Sequence, residues 1–287
     1  MRNFATLIIL IIGISSCAQR QGITFESKYK PDLMYTMTFL TESKSVLNFN
    51  GSKDKIDKLK AKGIMSPLIS ESKSEYTTKT TTGSIDSNRN FKATIEYGRI
   101  ESIDKRNREE KKSLNPVSGL IINGEYDENN SFHIDTMISE SFDYELKNTL
   151  KTSIEGIQNH IKFPDKPMKV GDSFDQNIPM SIPIADLPPI KVSINKQYKL
   201  VKIKKNIAYF SIKQTVTLDM ETNQFNVQTS GGGNGSAELD IEKMFVTKNE
   251  TNLALNLVIT VNDLIINANI ESKSNHAVII ENSNTSW

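Results

Sequence analysis

The side chains that most often carry out chemistry are few and scattered in this sequence. The 287 residues include one cysteine and three histidines, His133, His160 and His276, whose separation in the chain gives no local metal-ligand spacing. No HExxH, GxSxG or GxxxxGK[ST] motif occurs, and a single cysteine excludes CxxC. We therefore predict no catalytic residue, no metal site and no cofactor, and we expect a protein that is not an enzyme.

The glycine-rich stretch SGGGNGS at 230–236 could suggest a loop that cradles phosphate. Phosphate loops follow a strand and open a helix, whereas the strand-like stretch AELDIEKMFV follows here. A turn, a bulge or close packing of backbones accounts better for these glycines. We therefore predict that the stretch has a structural role.

The one cysteine, Cys17, lies where a lipid could use its thiol. Arg2 precedes an apolar run at 4–14, and two small residues then lead to Cys17, which together are typical of a secretory signal peptide. The sequence ISSC at 14–17 resembles the bacterial lipobox, and this resemblance implies removal of residues 1–16 and acylation of Cys17. An ordinary signal peptide followed by an incidental cysteine remains the alternative.

The sequence around Cys17 also bears on location. The apolar run has about eleven residues, whereas a membrane-spanning helix needs roughly 18 or more. A single acyl chain binds a membrane only marginally, at about 0.8 kcal/mol per buried methylene, so stable anchoring takes more than one chain. Neither an aspartate nor an acidic cluster follows Cys17. We predict an outer-membrane anchor facing the periplasm, with residues 17–26 as the lipidated tether.

The charge balance narrows the range of partners. Removal of residues 1–16 would leave 34 basic and 34 acidic side chains, a net charge near zero. A chain of this kind exerts little long-range attraction on nucleic acid, so we expect no nucleic-acid partner. The expected partners are the membrane, through the N-terminal lipid, and either an apolar ligand or an envelope protein.

Most of the remaining chain alternates apolar and polar residues with a period of two, as half-buried antiparallel strands do. The clearest examples lie at 33–40, 74–85, 91–103, 208–218 and 253–261. Apolar residues at intervals of three and four predict one long amphipathic helix at about 141–162, and a weaker helix is predicted at 53–62. The expected fold class is α+β, mainly antiparallel β: a curved sheet or half-barrel with the long helix packed on it.

The chain is expected to form a single β-rich domain over residues 27–283. KPDLMY at 30–35 is similar to KVGDSF at 169–174, so the domain could consist of two loosely similar halves, 27–162 and 163–283. Chance similarity between β-rich stretches is the alternative. The polar clusters YDENNS (126–131) and TKNETN (247–252) are typical of hairpin tips.

The stretch IPMSIPIADLPPI at 178–190 is apolar but interrupted by prolines. Proline cannot donate to a central ladder, so this stretch must be an edge strand or a loop. It could line the rim of a binding cavity or pack flat on the core, and the sequence leaves both readings open.

A longer phrase, FPDKPMKVGDSFDQN at 163–177, resembles one found in uncharacterised Bacteroidetes lipoproteins: a Lys-Pro pair, an aliphatic residue, then Gly-Asp and an aromatic residue. The resemblance implies a largely β domain of unknown function that spans nearly the whole mature chain. That family usually has Trp where Phe174 stands here. Gly171-Asp172 is typical of a turn and specifies no activity.

Two further expectations follow from the sequence. Asp135-Thr136-Met137 matches the short O-glycosylation pattern of Bacteroidetes periplasmic proteins, which makes Thr136 a candidate for modification. The β-rich pattern, the long helix, the apolar proline stretch and the anchor together favour a non-enzymatic binding or carrier module for an apolar or lipid-like ligand. A structural or interaction lipoprotein of an envelope complex is the alternative.

Replacing the Cys17 thiol tests the predicted anchor. We expect Cys17→Ser to move the protein from the membrane fraction to the soluble fraction, because lipid attachment requires the thiol. Cell fractionation followed by immunoblotting measures the change, and Ser16→Ala, which keeps a small residue before the cysteine, is the control. Continued membrane association of the Cys17→Ser chain would contradict the anchor.

Overall fold

The computed structural model describes residues 22–106, 109–139, 161–184, 187–218 and 226–283. This part of the chain forms one antiparallel sheet of thirteen strands with a single helix. The first seven strands and the helix are β1 (Leu33–Asn50), α1 (Lys53–Ala61), β2 (Leu68–Ile85), β3 (Phe91–Tyr97), β4 (Glu101–Arg106), β5 (Glu109–Leu114), β6 (Ile121–Tyr126) and β7 (Phe132–Ile138). The remaining six are β8 (Ser173–Ile184), β9 (Leu187–Lys204), β10 (Ile207–Leu218), β11 (Asn226–Asp240), β12 (Phe245–Val261) and β13 (Leu264–Asn282).

The first and last strands of the sheet meet at its centre. β1 pairs with β13 along its whole length, from Leu33 opposite Asn282 to Asn50 opposite Ile265. Strands β2, β3, β6 and β7 continue outward from β1, while β12 back to β8 continue outward from β13. The hairpin of β4 and β5 branches from β2. The sheet therefore consists of two arms joined at the β1–β13 seam.

Alternating side chains give the sheet an apolar inner face and a polar outer face. In β1, Tyr35, Met37 and Phe39 point inward, whereas Glu42 and Lys44 belong to the outer face. A row of alternating charge crosses five neighbouring strands on that outer face: Glu110, Lys105, Glu71, Lys44 and Glu271.

Two pairs of this row form ion pairs, with Lys44 Nζ 3.0 Å from Glu71 Oε1 and Lys105 Nζ 3.2 Å from Glu110 Oε2. Each pair is about half exposed and contributes at most about 1 kcal/mol. A register slip by one residue would place these charges on the apolar face, so the row mainly supports the register.

The N-terminal segment, residues 22–32, covers one end of the inner face. Ile23 exchanges two 2.9 Å backbone hydrogen bonds with Met168. Phe25 is buried among the rings of Phe163 and Phe210, with centroids 5.9 and 5.4 Å away. Part of the segment predicted to be a tether thus packs in the core.

The same segment is tied to a hairpin tip. Asn130, between β6 and β7, donates from Nδ2 to the Tyr29 carbonyl at 2.9 Å and accepts from the Tyr29 amide at 3.1 Å. Lys28 donates its backbone N–H to the Met244 carbonyl between β11 and β12 at 2.9 Å. The segment therefore joins the two arms at the end of the sheet where β1 begins.

The predicted α+β class with a long helix packed on the sheet is wrong. In the described ranges, the one helix is α1, which has nine residues and buries none of them. Residues 141–160 of the helix predicted at 141–162 lie outside the described residues, and Ile161 and Lys162 are not helical. The described core is built from long strands and the N-terminal segment, so the fold is almost entirely antiparallel β. The weaker helix predicted at 53–62 is confirmed as α1.

The predicted hairpin tip at 247–252 is also wrong, because these residues lie inside β12. Asn249 is opposite His276 and Thr251 is opposite Ser274, at a level where the inner face itself is polar. Because both faces of β12 carry polar residues here, the sequence pattern resembles that of a turn. By contrast, the tip at 126–131 is confirmed, since Asp127 accepts the Ser131 amide between β6 and β7.

The glycine-rich stretch also lies within a strand, β11, and not in a phosphate loop. A Cβ on Gly233 would collide with the carbonyl oxygen of Asn252 in β12. Across this glycine, Gln214 of β10 donates from Nε2 to the same Asn252 oxygen at 3.0 Å. Close approach of backbones therefore explains the glycine.

The structure agrees with the edge strand predicted for part of 178–190 and with the turn predicted at Gly171-Asp172. β8 is the last strand of its arm, so Pro179 sits on an edge strand, and Pro188 and Pro189 begin β9. Gly171 has φ +101°, and Asp172 caps the turn by accepting the Lys169 amide at Oδ2, 2.8 Å away. The turn before β1 is similar, with Asp32 at φ +59°.

Filling the space at Gly233 tests the close approach. We expect Gly233→Ala to lower the free energy of unfolding by about 1–3 kcal/mol, because an overpacked site must push the strands apart. Urea unfolding followed by circular dichroism measures it. Asn234→Ala, at the exposed next position of β11, is the matched control. A midpoint equal to that of the control would contradict the close approach.

Candidate functional site

A cavity of about 380 Å³ lies on the inner face of the sheet. Both arms contribute to its walls, from β1, β2 and β3 on one side and from β8 and β9 on the other, so the sheet bends around it. The lining residues are mainly aromatic and aliphatic. The residues on which the chemistry depends are Phe39, Tyr76, Gln176, Lys196, Tyr198 and His276.

One wall is a stack of three rings held by the register of three neighbouring strands. Phe39 of β1 is opposite Tyr76 of β2 and opposite His276 of β13. Its ring centroid lies 4.8 Å from Tyr76 and 4.6 Å from His276, with nearly parallel planes. Such stacking adds about 0.5–1.5 kcal/mol per pair beyond burial and presents a flat apolar surface.

The floor of the cavity is an aromatic cluster around the N-terminal segment. Tyr29 packs against Tyr35, Tyr126 and Phe245, with centroids 4.8, 4.9 and 5.1 Å away. The Tyr35 hydroxyl also has a structural role, because its Oη accepts a hydrogen bond from the Lys30 backbone amide at 2.8 Å. This floor closes the end of the sheet where residues 22–32 cross it.

The opposite wall comes from the other arm. The ring of Phe174 in β8 stacks on Tyr198 in β9 at 5.0 Å, and Tyr198 is only 2% exposed. Ile178 of the proline-interrupted stretch lines the cavity, so this stretch contributes to the wall. Ile161, the first described residue after 139, is buried at the same place.

A few polar groups interrupt the apolar lining. They include Gln176, Lys196 and Asn249, and the lining residues that the structure describes contain no Asp or Glu. The side-chain carbonyl oxygens of Gln176 and Asn249 are buried and accept no hydrogen bond within the described part of the protein. The Lys196 ammonium group has no carboxylate within 4.0 Å among the described residues.

Burial controls the titration of the groups around the cavity. Desolvation raises the pKa of Tyr198 to about 12, and desolvation, partly offset by the backbone hydrogen bond with Lys30, raises that of Tyr35 to about 12. Burial also lowers the pKa of Lys196 below its ordinary value. The tyrosines therefore stay neutral at physiological pH, and Lys196 is the only Lys, Arg, Asp or Glu among the described lining residues.

The candidate residues of the sequence fall in different places. Cys17 and His160 lie outside the described residues. Thr136 is exposed on the edge strand β7, where its Oγ1 accepts Asn123 Nδ2 at 3.1 Å, and His133 is exposed with Nε2 3.1 Å from Asp127 Oδ2. Of the two described histidines, His133 and His276, only His276 lines the cavity. No cluster of three or more His, Cys, Asp or Glu suited to a metal occurs in the ranges described.

Sequence reasoning missed the polar residues of the cavity, although a signal existed. Lys196 is in phase with Ile194 and Tyr198, so the period of two already places it on the apolar face. Gln176 is likewise in phase with Phe174 and Ile178. A polar residue in phase with apolar ones is the pattern that indicates a lining residue.

Comparison with known proteins identifies the family. The family described as "Family of unknown function (DUF6263)" matches residues 87–246, which is more than half of the chain. The chain therefore belongs to this family. No protein with a curated description matches it.

Several solved structures align with this chain at low sequence identity. A lipovitellin structure described by its lipid–protein interactions has 9% identity and a TM-score of 0.45, covering 91% of this chain and 26% of that one. The translocator domain of the autotransporter NalP from Neisseria meningitidis has 6% identity and a TM-score of 0.31, covering 84% and 87%.

OccK5 (OpdH) from Pseudomonas aeruginosa has 7% identity and a TM-score of 0.27, covering 88% and 99%. This chain thus spans about a quarter of the lipovitellin chain. At TM-scores below 0.5, these similarities indicate neither a ligand nor a location. Within the described residues, no helix is long and apolar enough to cross a membrane.

The raised pKa of Tyr198 predicts a specific loss of stability in alkali. The folded state favours the neutral phenol. The contribution of this phenol to the free energy of unfolding is therefore complete below pH 10 and is lost as the pH rises from about 10 to about 12. Over this pH range we expect the free energy of unfolding of Tyr198→Phe to fall by about 2 kcal/mol less than that of the wild type.

Urea unfolding at several alkaline pH values measures this difference. Tyr209→Phe is the control, because Tyr209 lies on the other face of the sheet, with Lys202 Nζ 4.5 Å from its ring centre. Parallel pH profiles for the wild type and Tyr198→Phe would contradict the assigned burial.

Proposed function

We propose that this DUF6263 protein is a non-enzymatic binding or carrier module for an apolar, lipid-like ligand. We further propose that lipid on Cys17 holds it at the outer membrane, facing the periplasm. The observation that carries the first proposal is the cavity of about 380 Å³ with aromatic and aliphatic walls. Its volume lies within the usual range of roughly 300–1,000 Å³ for small-molecule pockets.

The physical basis of binding would be burial of methylene groups. Each buried methylene contributes about 0.8 kcal/mol, so a short acyl segment is enough for measurable affinity. The stacked rings of Phe39, Tyr76 and His276 keep one wall flat without rearrangement. A preformed wall lowers the entropy lost on binding.

The cavity, and not a covering helix, now supports this proposal. A sheet whose inner face were fully packed would leave no room for a ligand. Here the side chains of the two arms leave space between Met37 and Tyr97 on one side and Tyr198 on the other. The proposal needs no catalytic group.

Filling the cavity should abolish binding. Thr78 is 4% exposed and lines the cavity from β2, opposite Met37 and Tyr97. We expect Thr78→Phe to weaken binding of the neutral fluorescent probe N-phenyl-1-naphthylamine at least tenfold, because the ring occupies the space of the probe. The measurement uses the full chain with Cys17→Ser, so that no covalent lipid competes.

The matched control is Thr77→Phe, which places the same ring at the exposed neighbouring position on the outer face. Thermal unfolding confirms that both variants fold. If wild-type protein does not bind the probe, or if Thr78→Phe binds it as tightly as Thr77→Phe, the cavity is not the binding site. Mass spectrometry of lipids that copurify with the native protein then identifies the natural ligand.

A further inference from the structure

A row of polar side chains crosses three adjacent strands at the edge of the cavity, and two of its members, Gln176 and Lys196, line the cavity. Lys196 of β9 is opposite Gln176 of β8 and opposite Gln214 of β10, so the three side chains form one row across the inner face. On either side of this row the inner face is apolar, with Ile194 and Val216 on one side and Tyr198 on the other.

The three side chains of this row differ in their hydrogen bonding and in their access to the cavity. Gln214 is buried and already donates to the Asn252 carbonyl, which leaves Lys196 and Gln176 to face the cavity. Lys196 is half-buried and lacks a carboxylate partner within the described ranges. Among the described residues that line the cavity there is no Asp or Glu, so none of these residues balances the ammonium charge.

An uncompensated, partly buried charge reduces stability, and desolvation accordingly lowers the pKa of Lys196. Structural lysines of this sheet behave differently: Lys44, Lys73 and Lys105 all have glutamate partners on the outer face. A cation at the edge of an apolar cavity, with no carboxylate partner in the described ranges, is arranged to receive an anion.

We propose that the ligand is a single-chain anionic amphiphile, whose acyl chain lies against the aromatic walls and whose head group binds Lys196. This inference rests on the proposed function and names its ligand class. A cavity of about 380 Å³ is at the small end of ligand pockets, which favours one acyl chain over two. The head group is a carboxylate or a phosphate, and both share the chemistry of an oxyanion.

The buried carbonyl oxygen of Gln176 lies in the same row and needs a donor. The Lys196 ammonium group carries three N–H donors, so it can serve an oxyanion and an amide oxygen together. Gln176 is thus a positioning residue, which would hold the ammonium group at the rim while the oxyanion occupies its other side.

The test compares matched ligands on the full Cys17→Ser chain. Dissociation constants are measured by displacement of N-phenyl-1-naphthylamine with myristate, with myristoyl lysophosphatidic acid, and with neutral monomyristoylglycerol. We expect Lys196→Met to weaken binding of at least one anionic ligand about tenfold or more, as loss of a charge-assisted hydrogen bond does. Binding of the neutral ligand should change less than threefold.

Two control variants keep the test sharp. Lys199→Met removes a cation from the exposed outer face of the same strand and should alter no affinity. Lys196→Arg retains a cation and should retain the preference for anions. Lys196→Met should also unfold at a higher temperature than the wild type without ligand, which reports that the charge is partly buried.

The outcomes separate the two proposals. If neither anionic nor neutral ligand displaces the probe from the wild type, the proposed function fails. If both classes bind the wild type and Lys196→Met changes them equally, the binding function stands and the anionic ligand is wrong. If Lys196→Met selectively weakens binding of myristate, the head group is a carboxylate. If it selectively weakens binding of myristoyl lysophosphatidic acid, the head group is a phosphate.

Discussion

The structure depends on keeping the apolar inner face of one very wide sheet away from water. In a two-layer protein a second sheet or a layer of helices covers such a face, but the described chain has only the short exposed helix α1. The sheet instead bends until its two arms face each other, and Phe25 and Tyr29 fill one end. The cavity is the space that this arrangement leaves unfilled between the arms.

Cross-strand register decides what that space presents to a ligand. Each inward position lies beside two inward positions of neighbouring strands, so a row of residues distant in sequence becomes one chemical surface. The stack of Phe39 with Tyr76 and His276 and the row around Lys196 both arise in this way. Alternating charges on the outer face support the same register. The polar outer face therefore helps to fix which residues lie side by side on the inner face.

Much of the sheet could be predicted from the alternation of apolar and polar residues, and Pro179 and Pro183 correctly marked the edge strand β8. The cavity could not, because it depends on which distant strands meet. Asn249 and Thr251 looked like a turn because the inner face becomes polar at their level. The glycines of β11 were compatible with a turn, a bulge or close packing, because one strand alone does not show which backbone approaches it. Lys196 resembled the surface lysines around it until its phase was compared with Ile194 and Tyr198.

The seam between β1 and β13 also sets the order in which the molecule can be completed. A growing chain can pair β1 with β2 early, but the partner of β1 on its other side is the last of the thirteen described strands in chain order. Contacts between residues so far apart in sequence form slowly, because a long loop must close before they gain free energy. Until β13 arrives, the centre of the sheet is an unpaired edge, and the two arms remain separate hairpin assemblies with their apolar faces exposed. An unpaired central edge and exposed apolar faces favour aggregation, so this seam makes the chain vulnerable until β13 has paired.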